Sequence, residues 1–128
     1  MSAPRLGYVI LYVESLEKAM RFYCEGLGFS EKARHGDYGE LATGDTILGL
    51  AERNFVAGHF TGELPPPGQG ASEIAVVFDR EDVRPAYERA LAAGAKAVVE
   101  PREESWKQLV SYVRDPDGHL LEICSPVG

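Results

Sequence analysis

The chain reads as an α+β domain made of two tandem β-α-β-β-β modules, and three observations predict it. The same order of elements is spelled twice, once on each side of a proline-glycine tract. Both copies open on a β-branched run followed by an amphipathic helix that a glycine stops. The second copy closes on Asp115-Pro116-Asp117-Gly118, a turn followed by the apolar strand Leu120 to Cys124. Module one is expected over residues 6–53, a connector over 54–72 and module two over 73–126.

In chain order, Tyr8-Val9-Ile10-Leu11-Tyr12-Val13 is β-branched and aromatic throughout and predicts a strand. Leu16, Ala19, Met20, Phe22, Tyr23 and Leu27 then fall at helical spacing, with Ser15 at the N-cap and Gly26 and Gly28 closing the end. The cap lacks the acid of a capping box, because Lys18 stands at N3. Strands are expected at 29–33, 38–42 and 46–51, separated by the turns His35-Gly36-Asp37 and Thr43-Gly44-Asp45.

Pro65-Pro66-Pro67-Gly68-Gln69-Gly70 belongs to neither a helix nor a central strand, so 54–72 is read as a connector. Phe55 and Phe60 make it apolar enough to fold back as a flap. The second copy follows with a strand at 73–78 and a helix at 82–93 stopped by Gly94. Next come a strand at 95–100, a polar connection at 102–107 bearing Trp106, and strands at 108–114 and 120–124. Equivalent positions lie 65 residues apart at Tyr8 and Glu73, 66 apart at Gly28 and Gly94, and 73 apart at Leu48 and Leu121. The pattern repeats while the side chains do not.

With 128 residues, 45% of them hydrophobic and 26% charged, the chain is long enough for a core without staples. Cys24 and Cys124 have neither a C-x-x-C spacing nor a secretory context and are expected to be reduced thiols. A net charge of −7 with scattered basic residues argues against a nucleic-acid partner. No apolar run approaches membrane-spanning length and no export signal is recognisable, so the expected address is the cytoplasm.

The segments Phe22-Tyr23, Leu27-Gly28-Phe29, Ala93-Gly94 and Arg114-Asp-Pro-Asp-Gly-His-Leu-Leu-Glu-Ile resemble the vicinal oxygen chelate superfamily. That group includes glyoxalase I, bleomycin-resistance proteins, fosfomycin-resistance enzymes and extradiol dioxygenases. The resemblance covers Leu6 to Pro126 and implies paired modules whose mixed sheets curve into a cup, a ligand inside it, and a homodimer. It also implies where a divalent metal would sit, at Tyr8, Gly49, Glu73 and Glu122. Glycine has no donor and tyrosine is a rare ligand, so the usual ligand set is incomplete and no metal or other cofactor is expected.

Alternation within the strands separates a face for the helices from a face for a ligand. Val9, Leu11 and Val13 oppose Tyr8, Ile10 and Tyr12, and Leu121 and Ile123 oppose Leu120, Glu122 and Cys124. Glu122, a carboxylate among apolar neighbours, is the candidate general base, with pairing to Arg114 or plain solvation as its ordinary alternative. Tyr8, Tyr12, Glu73, Trp106, Tyr112 and Glu122 are the candidate ligand-binding residues. Trp106, in a polar hairpin, covers the cup or packs at a subunit contact. Two carboxylates and the acidic balance favour a cationic or amine-bearing small molecule held without catalysis. The other reading is a metal-dependent lyase, isomerase or dioxygenase acting on vicinal oxygens through Glu73 and Glu122.

Overall fold

The structure, a computed structural model, describes residue 3, residues 6–54 and residues 73–128. The described residues fall into two compact units, each built on one four-stranded mixed sheet. The flap expected of Phe55 and Phe60 lies outside the described residues.

Module one runs β1 (Tyr8–Val13), α1 (Leu16–Arg21), a π-helical turn (Phe22–Gly26), β2 (Ser30–His35), β3 (Tyr38–Ala42) and β4 (Ile47–Glu52). Its strand order is β1-β4-β3-β2, with β1 parallel to β4 and the other pairs antiparallel. A parallel pair needs a crossover, and α1 provides it. Ser15 caps the helix, accepting from the Lys18 amide at 3.3 Å. The acid absent from N3 has a tertiary substitute, since Glu52 Oε2 at the end of β4 accepts from the Leu16 amide at 2.8 Å.

The helix expected to continue to Gly26 instead widens at Phe22 into a π turn, closed by the Gly28 and Phe29 amides on the Cys24 and Tyr23 carbonyls. Val13, Leu16, Ala19, Met20, Phe22, Tyr23, Leu41, Leu48 and Leu50 are buried. Gly39 permits close approach of α1 to β3, because a Cβ there would run into the Met20 methyl.

Module two runs β5 (Glu73–Val77), α2 (Arg80–Ala92), β6 (Lys96–Glu104), β7 (Gln108–Arg114) and β8 (Leu120–Cys124), in the order β5-β8-β7-β6 with β5 parallel to β8. Helix α2 begins two residues before the expected start and contains Pro85. The proline lacks the N–H that would reach the Glu81 carbonyl, and Glu81 is exposed, so water can serve that carbonyl instead. Gly94, at φ 110°, ends the helix in a Schellman motif, with Ala95 N donating to Ala90 O and Gly94 N to Leu91 O.

The strand expected to stop at Glu100 runs on to Glu104, and the polar connection shrinks to a turn at 105–107. Pro101 therefore lies inside the strand. It is tolerated because β6 is an edge strand and the register shifts between Val99 and Arg102, which takes the proline out of the ladder.

The turn before β8 is held by Asp115, which is 2% exposed. Its Oδ1 accepts from the amides of Asp117 at 2.9 Å and His119 at 2.8 Å, and its Oδ2 lies 2.9 Å from His119 Nδ1. Gly118 supplies the positive φ of 94° that the turn requires. Asp115→Ala leaves two amides without their acceptor, and we expect a loss of about 1–3 kcal/mol in urea unfolding, with Asp115→Asn losing less.

Candidate functional site

Each sheet has one face taken by its helix, and the chemistry lies on the other. In module one Tyr8 and Ile10 are exposed and Tyr12 is half-buried, while Val13 on the opposite face is fully buried, as the alternation requires. Parallel pairing sets Tyr8 beside Ile47, Ile10 beside Gly49 and Tyr12 beside Ala51. Antiparallel pairing adds Glu40 opposite Gly49 and Tyr38 opposite Ala51. The open face of module one is therefore a patch of tyrosines and small residues around one carboxylate.

Tyr38 and Glu40 were not among the residues expected to form the site. Tyr38 Oη donates to Glu40 Oε2 at 2.9 Å. A Cβ built on Gly49 would lie 2.8 Å from that hydroxyl and 2.9 Å from Cε1 of the same ring. Gly49 is thus the seat of the Tyr38 phenol. Burial, then the hydrogen bond to Glu40, then the charges of Glu40 and Tyr8 push the Tyr38 pKa up to about 12, so the phenol stays protonated at neutral pH. At the Tyr8 end of β1 an open recess is lined by Leu6, Gly7, Tyr8, Asp45 and Ile47.

On the open face of module two, Glu122 is half-buried and its partners are not arginines. Tyr112 Oη donates to Oε1 at 2.9 Å, and the buried Cys124 thiol lies 3.6 Å from Oε2. The pairing with Arg114, weighed as the ordinary reading, gives way to a bond from Arg114 Nη1 to the Gly118 carbonyl at 2.8 Å. The direct cross-strand register of Tyr112 and Glu122 brings two of the candidate residues together. Glu73 opens β5, and its side chain lies outside the described residues.

Trp106 is 53% exposed, yet its indole is tethered. Nε1 donates to Gln108 Oε1 at 2.6 Å, and Gln108 Nε2 donates to the Ser125 carbonyl at 2.8 Å. Cys24 and Cys124 are both free thiols.

The residues of module one do not fit a transition metal. Gly49 offers no donor, and the space beside it holds a phenol whose proton is retained well above neutral pH. A metal ion would have to displace that proton to gain Tyr38 as a ligand. Among the described residues no three His, Cys, Asp or Glu side chains come together to hold an ion. Among the described residues no helix is long and apolar enough to cross a membrane.

The raised Tyr38 pKa has a measurable sign. Below the ordinary phenol value near ~10 both folded and unfolded chains keep the proton. Above it the unfolded chain releases a proton that the fold retains, so stability falls as pH climbs toward about 12. Ultraviolet titration should show the Tyr38 phenol ionising late. Glu40→Gln should bring that phenol down without restoring the ordinary value, because burial is the leading cause, and Tyr38→Phe should remove it.

The chain matches the Glyoxalase/Bleomycin resistance protein/Dioxygenase superfamily over residues 5–123. It is 30% identical over 126 residues to glutathione transferase FosA of Serratia marcescens, covering 92% of this chain and 78% of that one. It is 29% identical over 124 residues to protein YraH of Bacillus subtilis, covering 93% and 96%. The crystal structure of a glyoxalase-related enzyme from Fulvimarina pelagi superposes with a TM-score of 0.88 at 25% identity, covering 98% and 94%. With two β-α-β-β-β modules and a match over nearly its whole length, the chain belongs to the glyoxalase/bleomycin resistance protein/dioxygenase superfamily.

Proposed function

We propose that this protein binds a small organic molecule on the open faces of its sheets and does so without a metal ion. The observation that carries this reading is the protonated Tyr38 phenol filling the space beside Gly49, where the family resemblance places a ligand. The groups presented on the open faces suit recognition. In module one Tyr8, Tyr12 and Tyr38 offer aromatic walls, Ile10 and Ile47 apolar contact and Glu40 an orienting acceptor. In module two Tyr112, Val77 and Glu122 do the same on that unit's own open face. Trp106, its indole fixed through Gln108, adds a rigid aromatic surface at little cost in side-chain entropy.

Glu122 has a different role in this reading from the general base first considered. A phenol bonds its Oε1 and a thiol approaches its Oε2, so the carboxylate is oriented by neutral donors and presents its remaining lone pairs as acceptors. Binding would then depend on Glu122 as a hydrogen-bond partner.

A thermal-shift screen of small metabolites and antibiotics, run before and after chelation, tests the reading. The same compounds should raise the midpoint equally in both conditions, and Ni²⁺, Zn²⁺, Mn²⁺ or Fe²⁺ should leave it unchanged. A near-stoichiometric metal that is lost in Glu73→Ala and Glu122→Ala would overturn it. So would turnover of a substrate with vicinal oxygens that returns when a metal is added back.

A further inference from the structure

We infer that Tyr8, Tyr38 and Glu40 form a recognition subsite for a cationic nitrogen, an ammonium or guanidinium group, on the small molecule that module one receives. The inference deepens the binding function proposed above and rests on it.

It starts from the acids with partners and from two half-buried ones, Glu40 and Glu122, that have no cation beside them among the described residues. Glu17 and Glu31 hold Arg34, Glu103 holds Arg80, Glu104 holds Arg102, Asp115 faces His119, and Glu52 caps α1. Glu40 is half-buried and has no ion-pair partner among the described residues. Tyr38, a neutral phenol, donates to it, which orients the carboxylate and leaves its charge in place. A partly desolvated carboxylate without a countercharge is unfavourable, and an incoming cation relieves it.

The surroundings add a second attraction. Glu40 stands between Gly49 on β4, where the Tyr38 ring takes the place of a side chain, and Ala33 on β2, whose methyl is its only bulk on that side. Tyr8 is 56% exposed and lies on the same face of the sheet as Glu40, which adds an accessible aromatic ring to that face. The recess that Tyr8 lines carries a further acid, Asp45, and the apolar side chains of Leu6 and Ile47. A cation with an apolar body matches this arrangement, while an anionic group would meet Glu40 and Asp45. The net charge of −7 acts in the same direction at long range.

The test uses phenethylammonium, its neutral analogue phenethyl alcohol and the anion phenylacetate, titrated into the full chain in chelator and followed by amide chemical shifts. Phenethylammonium should perturb residues around Tyr8, Tyr38 and Glu40. Phenethyl alcohol should bind about tenfold more weakly and phenylacetate not at all. Glu40→Gln keeps an acceptor for the Tyr38 hydroxyl and should lose about tenfold for the ammonium alone. Tyr8→Leu, with circular dichroism as the check on folding, should weaken the ammonium and spare the alcohol.

Equal binding of ammonium and alcohol, or an unchanged ammonium affinity in Glu40→Gln, would overturn the subsite and leave small-molecule binding standing. The absence of any ammonium shift at these residues would overturn it as well. Failure of the broader reading shows separately, as the metal dependence sought in the thermal-shift experiment.

Discussion

The constraint on which the rest depends is that, among the described residues, one face of each four-stranded sheet is packed by a helix, α1 in module one and α2 in module two. One face is closed by that helix and the other must carry whatever is not core. In module one Val13, Leu48 and Leu50 are almost wholly withdrawn from solvent, while Tyr8 and Ile10, on neighbouring positions of the same ladder, are about half exposed. Side chains alternate with period two, so the first apolar contact of β1 with α1 fixes the placing of every other residue in that strand. The crossover imposes the same rule on β4. The parallel partner of Ile10 is Gly49, and the choice of residue there sets the space available on the open face.

Much of this was legible in the sequence. The turn at Asp115 to Gly118, the alternation in β1 and β8 and the glycine stop at Gly94 are local signals, and each corresponds to an element of the structure. What escaped was non-local. The end of β6 was misplaced because Pro101 disrupts a strand only if its N–H is needed, and that depends on edge position and on a bulge. The widening of α1 at Phe22 left no trace, because adjacent buried residues at 22 and 23 suit an α-helix as well as a π turn.

The candidate site was legible in half. Tyr112 and Glu122 are direct cross-strand partners, and both were singled out from their own strands. Tyr38 and Glu40 were passed over although the signal existed. They lie two apart in one strand and so share a face, and the β3–β4 hairpin around Thr43-Gly44-Asp45 sets Glu40 opposite Gly49. Reading Gly49 as a missing ligand stopped that count one step short. Its lack of a side chain is what admits the ring of Tyr38.

The two modules thus reach a similar device by different routes. In each, a tyrosine hydroxyl donates to a half-buried glutamate at 2.9 Å, within one strand in module one and across two strands in module two. The environments then diverge. Glu122 has the thiol of the buried Cys124, on its own strand, near its second oxygen, so its surroundings are comparatively closed. Glu40 has a glycine and an alanine for cross-strand neighbours and an exposed tyrosine nearby. A carboxylate exerts its charge most strongly where water is partly excluded and no protein cation stands by. Among the described residues both glutamates meet that criterion, and the more open surroundings of Glu40 make it the one that a charged ligand can reach.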